Sequence, residues 1–218
     1  MTSISVVLSS LILLSAFVLV ASKRIHSTIG AFRAQAVLIA LNTGLLGVRE
    51  FLHSGRVDIL AVFVVLVALK VFYIPRILHR TYAAVEYKVE KDFLFNIPTL
   101  VLLCSALVVF VYAAVSSIST VKDGDTLILL VDALSAVLIG LFFLISRKKA
   151  VGQIVGLLAI ENGLFITALY ASDGMPFIVD MGIFIDLVTA VLILGLMVFR
   201  IDEAFDSTDT DRMSDLKG

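Results

Sequence analysis

Seven stretches of this 218-residue chain are each about twenty residues long and almost uninterrupted in apolar side chains. A helix rising about 1.5 Å per residue needs roughly that many to cross a ~30 Å hydrocarbon core. They run from about Ser3 to Ser22, Gly30 to His53, Asp58 to Leu78, Asn96 to Ser117, Thr126 to Ser146, Ala150 to Ser172 and Phe177 to Arg200. Hydrophobic residues make up 60% of the chain and charged ones 16%. The mean hydropathy of +1.09 then makes lipid the main solvent for these side chains. A β-barrel would need apolar/polar alternation in segments of about ten residues, and the runs are continuous instead. The expected fold is therefore an all-α, polytopic transmembrane helical bundle of about seven spans. No basic residues precede the first span and no small-residue cleavage pattern follows it, which predicts a retained helix and not a removed signal.

Loop charges predict the orientation, because lysine and arginine are retained on the cytoplasmic side. One side carries Lys23, Arg24, Arg76, Arg80, Lys88, Lys91, Arg147, Lys148, Lys149, Arg200, Arg212 and Lys217; the other carries Arg49, Arg56 and Lys122. The N-terminus is thus expected outside and the C-terminus in the cytoplasm. Sliding the chain by 119 residues lays Ala40 on Ala159, Gly44 on Gly163, Leu45 on Leu164 and Gly55 on Gly174. This suggests a parallel repeat of two three-helix units. The units are 1–78 and 126–201, joined by a mixed-charge stretch and connecting helix over 79–125 and followed by an acidic, solvated tail over 202–218. Residues 79–92 read as a surface loop or short helix. Pro98 falls in the first turn of the fourth span, where its missing N–H costs little.

Charges inside the spans constrain function more than the spans themselves. Glu161 lies about 16 Å along its helix from the cytoplasmic end, near the bilayer midplane. Asp186 sits equally deep in the last span. Ionised carboxylates there cost at least ~2.5 kcal/mol unless protonated, paired or beside water. Lys70, mid-span in the third run, is too deep for its four-carbon stem to reach an interface and is a natural counter-charge. Gln153 and Asn162 flank Glu161 and could hold water or its proton. Asp58, Asp132 and Asp180 fall within two turns of the outer ends, where they read as interfacial carboxylates; Asp132 and Asp180 are retained as accessory pathway residues. His26, His53 and His79 sit at loop edges, where solvated histidine is the default, and none has metal-ligand spacing. Gly152 and Gly156 form a GxxxG pattern that predicts close helix packing. The lone Cys104 excludes a disulfide framework or cysteine metal site, and a net charge of −1 argues against nucleic acid. No phosphate loop, nucleophile elbow or cofactor motif is present. The residues point to an ion or proton pathway, with no covalent chemistry expected in this chain itself.

Thr126 to Arg200 resembles the small three-helix subunit of respiratory complex I (NuoK type) and its relative in multisubunit cation/proton antiporters (MrpC type). The likeness rests on the basic loop, Gly156-Leu157 and one buried carboxylate in each of the last two helices. Over essentially its whole length the chain resembles more closely the hydrogenase-4 component E family of formate-hydrogenlyase-like nickel–iron hydrogenases. That resemblance is carried by the lysine-containing helix running into Ile74-Pro75-Arg76, by Asn96-Ile97-Pro98, and above all by the tail from Arg200-Ile201-Asp202-Glu203-Ala204-Phe205-Asp206-Ser207 to Leu216-Lys217-Gly218.

It implies a non-catalytic subunit in a prokaryotic cytoplasmic membrane, packed among antiporter-like and NuoH-type chains and peripheral hydrogenase subunits. The nickel–iron centre and iron–sulfur clusters would belong to those partners, with no cofactor held here. Glu161 and Asp186 would take the places of the two buried carboxylates of the complex I subunit, each displaced by one turn toward the outer face, with aspartate replacing glutamate at 186. The implied role is a proton or cation relay coupled to redox chemistry through Glu161, Asp186 and Lys70. A purely structural anchor, an antiporter subunit and a subunit of another redox complex remain open alternatives.

Overall fold

The computed structural model describes residues 2–84, 96–118, 123–147 and 150–171, and among them every regular element is a helix. Helix α1 spans Thr2–Ala21 and α2 Ile25–Ser54. Helix α3, Asp58–Leu66, passes through a π-helical segment, Val67–Tyr73, into α4, Ile74–Ala84. Helices α5, α6 and α7 cover Ile97–Ser116, Gly124–Ser146 and Ala150–Ala171. With Asp58–Arg80 taken as one rod, six described helices are long and apolar enough to cross a membrane. The seventh expected span lies outside the described residues, and with it Asp180, Asp186 and the tail.

Local chemistry sets several helix ends. Gly55 takes a left-handed φ of 71°, and its amide bonds back to the Phe51 carbonyl at 2.9 Å, closing α2. Asp123 caps α6: its carboxylate accepts from the Thr126 amide at 3.1 Å and from the Thr126 hydroxyl at 2.9 Å. Those two bonds hold the Asp123 carboxyl below the usual carboxylate range. Pro98 sits in the first turn of α5, as its missing donor favours. Two boundaries differ from the apolar runs. Helix α2 begins at Ile25 because the polar His26-Ser27-Thr28 segment is already helical, and α4 continues past Leu78 to Ala84, where the sequence holds no glycine or proline to stop it.

Lipid gives helices no hydrophobic reason to associate, so close backbone approach through small residues has to hold them. A Cβ added at Gly140 would lie 2.8 Å from the Ile160 amide nitrogen, at Gly156 2.7 Å from Leu144 Cα, and at Gly163 2.7 Å from the Val137 nitrogen. As one partner of each pair advances the other retreats, so α6 and α7 form a tightly packed antiparallel hairpin. Gly44 against Phe63 and Gly47 against Leu60 do the same for α2 and α3. By contrast, Ser10 bonds Asp132 and Arg147 bonds the Ser22 carbonyl, so α1 runs parallel to α6. Gln35 bonds Asn162 and Asn42 bonds Tyr170, so α2 runs parallel to α7. These four helices form the centre, with α5 against α6 and α1, and the α3–α4 rod against α2.

Arg147 departs from its expected place in an exposed basic loop. It is 4% exposed. Its Nη2 donates to the Ser22 carbonyl just beyond α1 at 2.8 Å, and its guanidinium stands 4.2 Å over the Phe143 ring. The charge thus satisfies a carbonyl at the negative end of a helix while its stem packs inside.

Candidate functional site

The deepest charge in the described bundle is Lys70, 1% exposed and carried by the π-helical segment. A π turn widens the helix and changes the aim of the residues it carries, and such turns occur frequently at functional sites. Here Lys70 faces α7. Its Nζ lies 3.3 Å from Glu161 Oε1 and donates to Asn162 Oδ1 at 3.0 Å, with the Phe165 ring centroid at 5.9 Å. Asn162 Nδ2 in turn donates to Gln35 Oε1 on α2 at 3.0 Å. Three of the sequence-predicted residues, Lys70, Glu161 and Asn162, are thereby brought into one cluster, and Gln35 extends it to a third helix.

Opposite unit charges 3.3 Å apart attract by about 5 kcal/mol at an effective dielectric of ~20, while desolvation costs several kcal/mol per ion. The two are of similar size, so the pair adds little net stability, while loss of either partner alone is costly. Neither oxygen of Glu161 accepts a hydrogen bond, and Gln35 Nε2 is also without a partner. Buried polar atoms left in this way are where ordered water is accommodated.

A second polar group lies farther along the same helices. Asp132 Oδ2 accepts from Ser10 Oγ at 2.9 Å, and Asn42 Nδ2 donates to the Tyr170 hydroxyl at 2.7 Å. Ser9 lies beside both Asp132 and Tyr170 without hydrogen-bond geometry to either. Asp132 is 7% exposed, which corrects its reading as a water-touching interfacial carboxylate. Its height was estimated from the helix end, but its direction is inward, toward the Ser10 face of α1. From Asn162 to Tyr170 is about 12 Å at helical rise. Between the two groups Ile12, Ile39, Phe165 and Ile166 make an apolar layer.

Gln153 belongs to neither group. It is exposed, and its Nε2 donates to the Arg147 carbonyl at 3.0 Å, closing the turn between α6 and α7. Asp58 is exposed, as expected near a helix start. His26 and His79 are exposed and stack at 5.0 Å. Among the described residues no three histidine, cysteine or carboxylate side chains are placed to hold a metal. Sequence reasoning missed Gln35 and Tyr170. The signal for Gln35 was available: Thr28, Gln35 and Asn42 recur every seven residues, one buried polar stripe on an otherwise apolar helix.

Comparison with known proteins places relatives beside this geometry. An uncharacterized protein of Mycobacterium tuberculosis, Rv0085, is 29% identical over 161 residues, 73% of each chain. Hydrogenase-4 component E of Escherichia coli is 28% identical over 152 residues, 68% of this chain and 69% of the relative, and its Shigella flexneri counterpart matches equally. No family model and no solved structure matches.

Proposed function

We propose that this chain is a membrane subunit of a hydrogenase-type redox complex and that the Lys70–Glu161 pair is the proton-exchanging centre of an ion path through it. The observation that carries the reading is the pair itself: two opposite charges 3.3 Å apart, 1% and 6% exposed, far from either helix end. Similarity to hydrogenase-4 component E supports the complex. In this reading hydrogen chemistry and its metal centres reside in peripheral partners, antiporter-like and NuoH-type chains flank the subunit, and the membrane is the prokaryotic cytoplasmic one.

A proton reaching Glu161 converts a neutral cluster into one of net charge +1, with Lys70 left to the Asn162 carbonyl. Charge of that kind is costly in the interior, so the proton is passed on, across the apolar layer toward Asp132. Glu161→Gln tests this in membrane vesicles holding the native complex. Hydrogenase turnover with a soluble dye is expected to persist while coupled ion pumping falls at least about ten-fold, the loss of one positioned proton carrier. Unchanged pumping would leave the chain as a structural anchor, and a native complex with antiporter chains but no hydrogenase would replace the redox reading.

A further inference from the structure

On the outer side of the α2–α4 contact, away from both polar groups, lies a groove of about 470 Å³. Arg33, Arg76 and Arg80 supply its cationic wall, His79 a polar edge, and Val71, Phe72 and Pro75 its apolar wall. Arg76 and Arg80 are one turn apart on α4, and Arg33 comes from α2 with its guanidinium 5.9 Å from the centre of the Phe72 ring. All three arginines are exposed, no carboxylate among the described residues lines the groove, and the described ion pairs, Lys70–Glu161 and Arg56–Glu50, lie elsewhere.

We infer that this groove binds an anionic phospholipid, its phosphate held by Arg33, Arg76 and Arg80 and an acyl chain lying on Val71, Phe72 and Pro75. Depth supports the assignment. Arg80 closes the apolar rod that begins at Asp58, and the His26–His79 stack ties the end of that rod to the first turn of α2. The groove therefore descends from the level where hydrocarbon gives way to headgroups. Arg33, eight residues into α2, has its Cα about 12 Å deeper, more than its own side chain spans, so it meets a phosphate drawn down into the groove beside Arg76. Three permanently charged guanidinium groups repel one another in a low-dielectric setting, and arginine's planar fork fits phosphate oxygens in pairs. A free anion would satisfy the fork but leave the apolar wall bare, whereas a phospholipid satisfies both. The binding is independent of the proton-path reading and survives its failure.

The chain contains no tryptophan, so Phe72→Trp in the purified full-length protein gives a single reporter inside the groove. Reconstituted in phosphatidylcholine vesicles, it is titrated with brominated phosphatidylglycerol and, separately, with brominated phosphatidylcholine. Quenching should favour the anionic lipid by on the order of a hundred-fold, given roughly 1 kcal/mol for each of the three arginines near an anionic headgroup. The combined Arg33→Gln, Arg76→Gln and Arg80→Gln substitutions should bring the ratio to about one, and each single substitution should lower it about five-fold by the same increment. The single variants decide the matter if the triple variant loses its helical circular dichroism. Added inorganic phosphate should leave the preference intact. Equal quenching by the two lipids, or arginine substitutions without effect, overturns the proposal. So does loss of the preference in inorganic phosphate, which would mark a free-anion site. A preference that appears only after Glu86, Glu90 and Asp92 are neutralised overturns it too, since the arginines would then be answering the chain's own carboxylates and not a lipid.

Discussion

The bundle buries charge in two ways, as an ion pair and as a carboxylate held by neutral donors. At Lys70 the charge is met by another charge at 3.3 Å and an amide at 3.0 Å, and the glutamate is left without hydrogen bonds. At Asp132 the carboxylate is met by a serine hydroxyl at 2.9 Å, beside the Asn42–Tyr170 bond, with no buried cation among the described residues of the group. Removing one partner of a buried ion pair strands the other, whereas removing a carboxylate from neutral donors strands only hydroxyls.

The sharpest way to break this contrast is at the pair. Lys70→Met or Glu161→Gln alone should destabilise the detergent-solubilised protein by about 3–5 kcal/mol, and the double variant should recover most of that loss in a thermal-melt cycle. Additive losses would mean the two charges do not interact. Next, Gly156→Ala puts a methyl 2.7 Å from the Leu144 backbone and should cost about 1–3 kcal/mol by prying α6 from α7, a control that harms both polar groups alike. Asp132→Asn should cost only about 1 kcal/mol; a loss as large as that at Glu161 would place an unseen cation beside it. The smallest effect belongs to Asp123. Its carboxyl is held below the usual range by Thr126, so its contribution to stability is present above the unfolded-state pKa and fades as pH falls through the depressed folded value. Asp123→Ala should therefore flatten the acid limb of the melting curve and leave the neutral-pH behaviour of both polar groups unchanged.

Much of the architecture was legible because a spanning helix announces itself by length and continuity alone. The six described spans fall on six of the apolar runs. The depth of Lys70 and Glu161 was legible for the same reason, since depth is a count of residues from a helix end. Azimuth is not such a count. That Lys70 meets Glu161 depends on a π-helical segment with no signature in Val67–Tyr73, and on which face of α7 the glycines press against α6. The same gap explains the corrections. Asp132 is near an end by count but turned inward, and Arg147 belongs to a basic loop by count yet reaches under α1 to a carbonyl. Gln153, eight residues before Glu161, looked like its companion and instead closes the preceding turn.

The central claim is that the Lys70–Glu161 pair carries protons and does more than hold helices together. The measurement that separates the two is coupled ion pumping by the native complex carrying Lys70→Met and Glu161→Gln together, in which the electrostatic debt of each single change is cancelled. The account predicts a complex that assembles and melts close to the unmodified one, turns over soluble dye normally and pumps at least about ten-fold less. Full pumping by that double variant would contradict it and leave the pair a structural clamp.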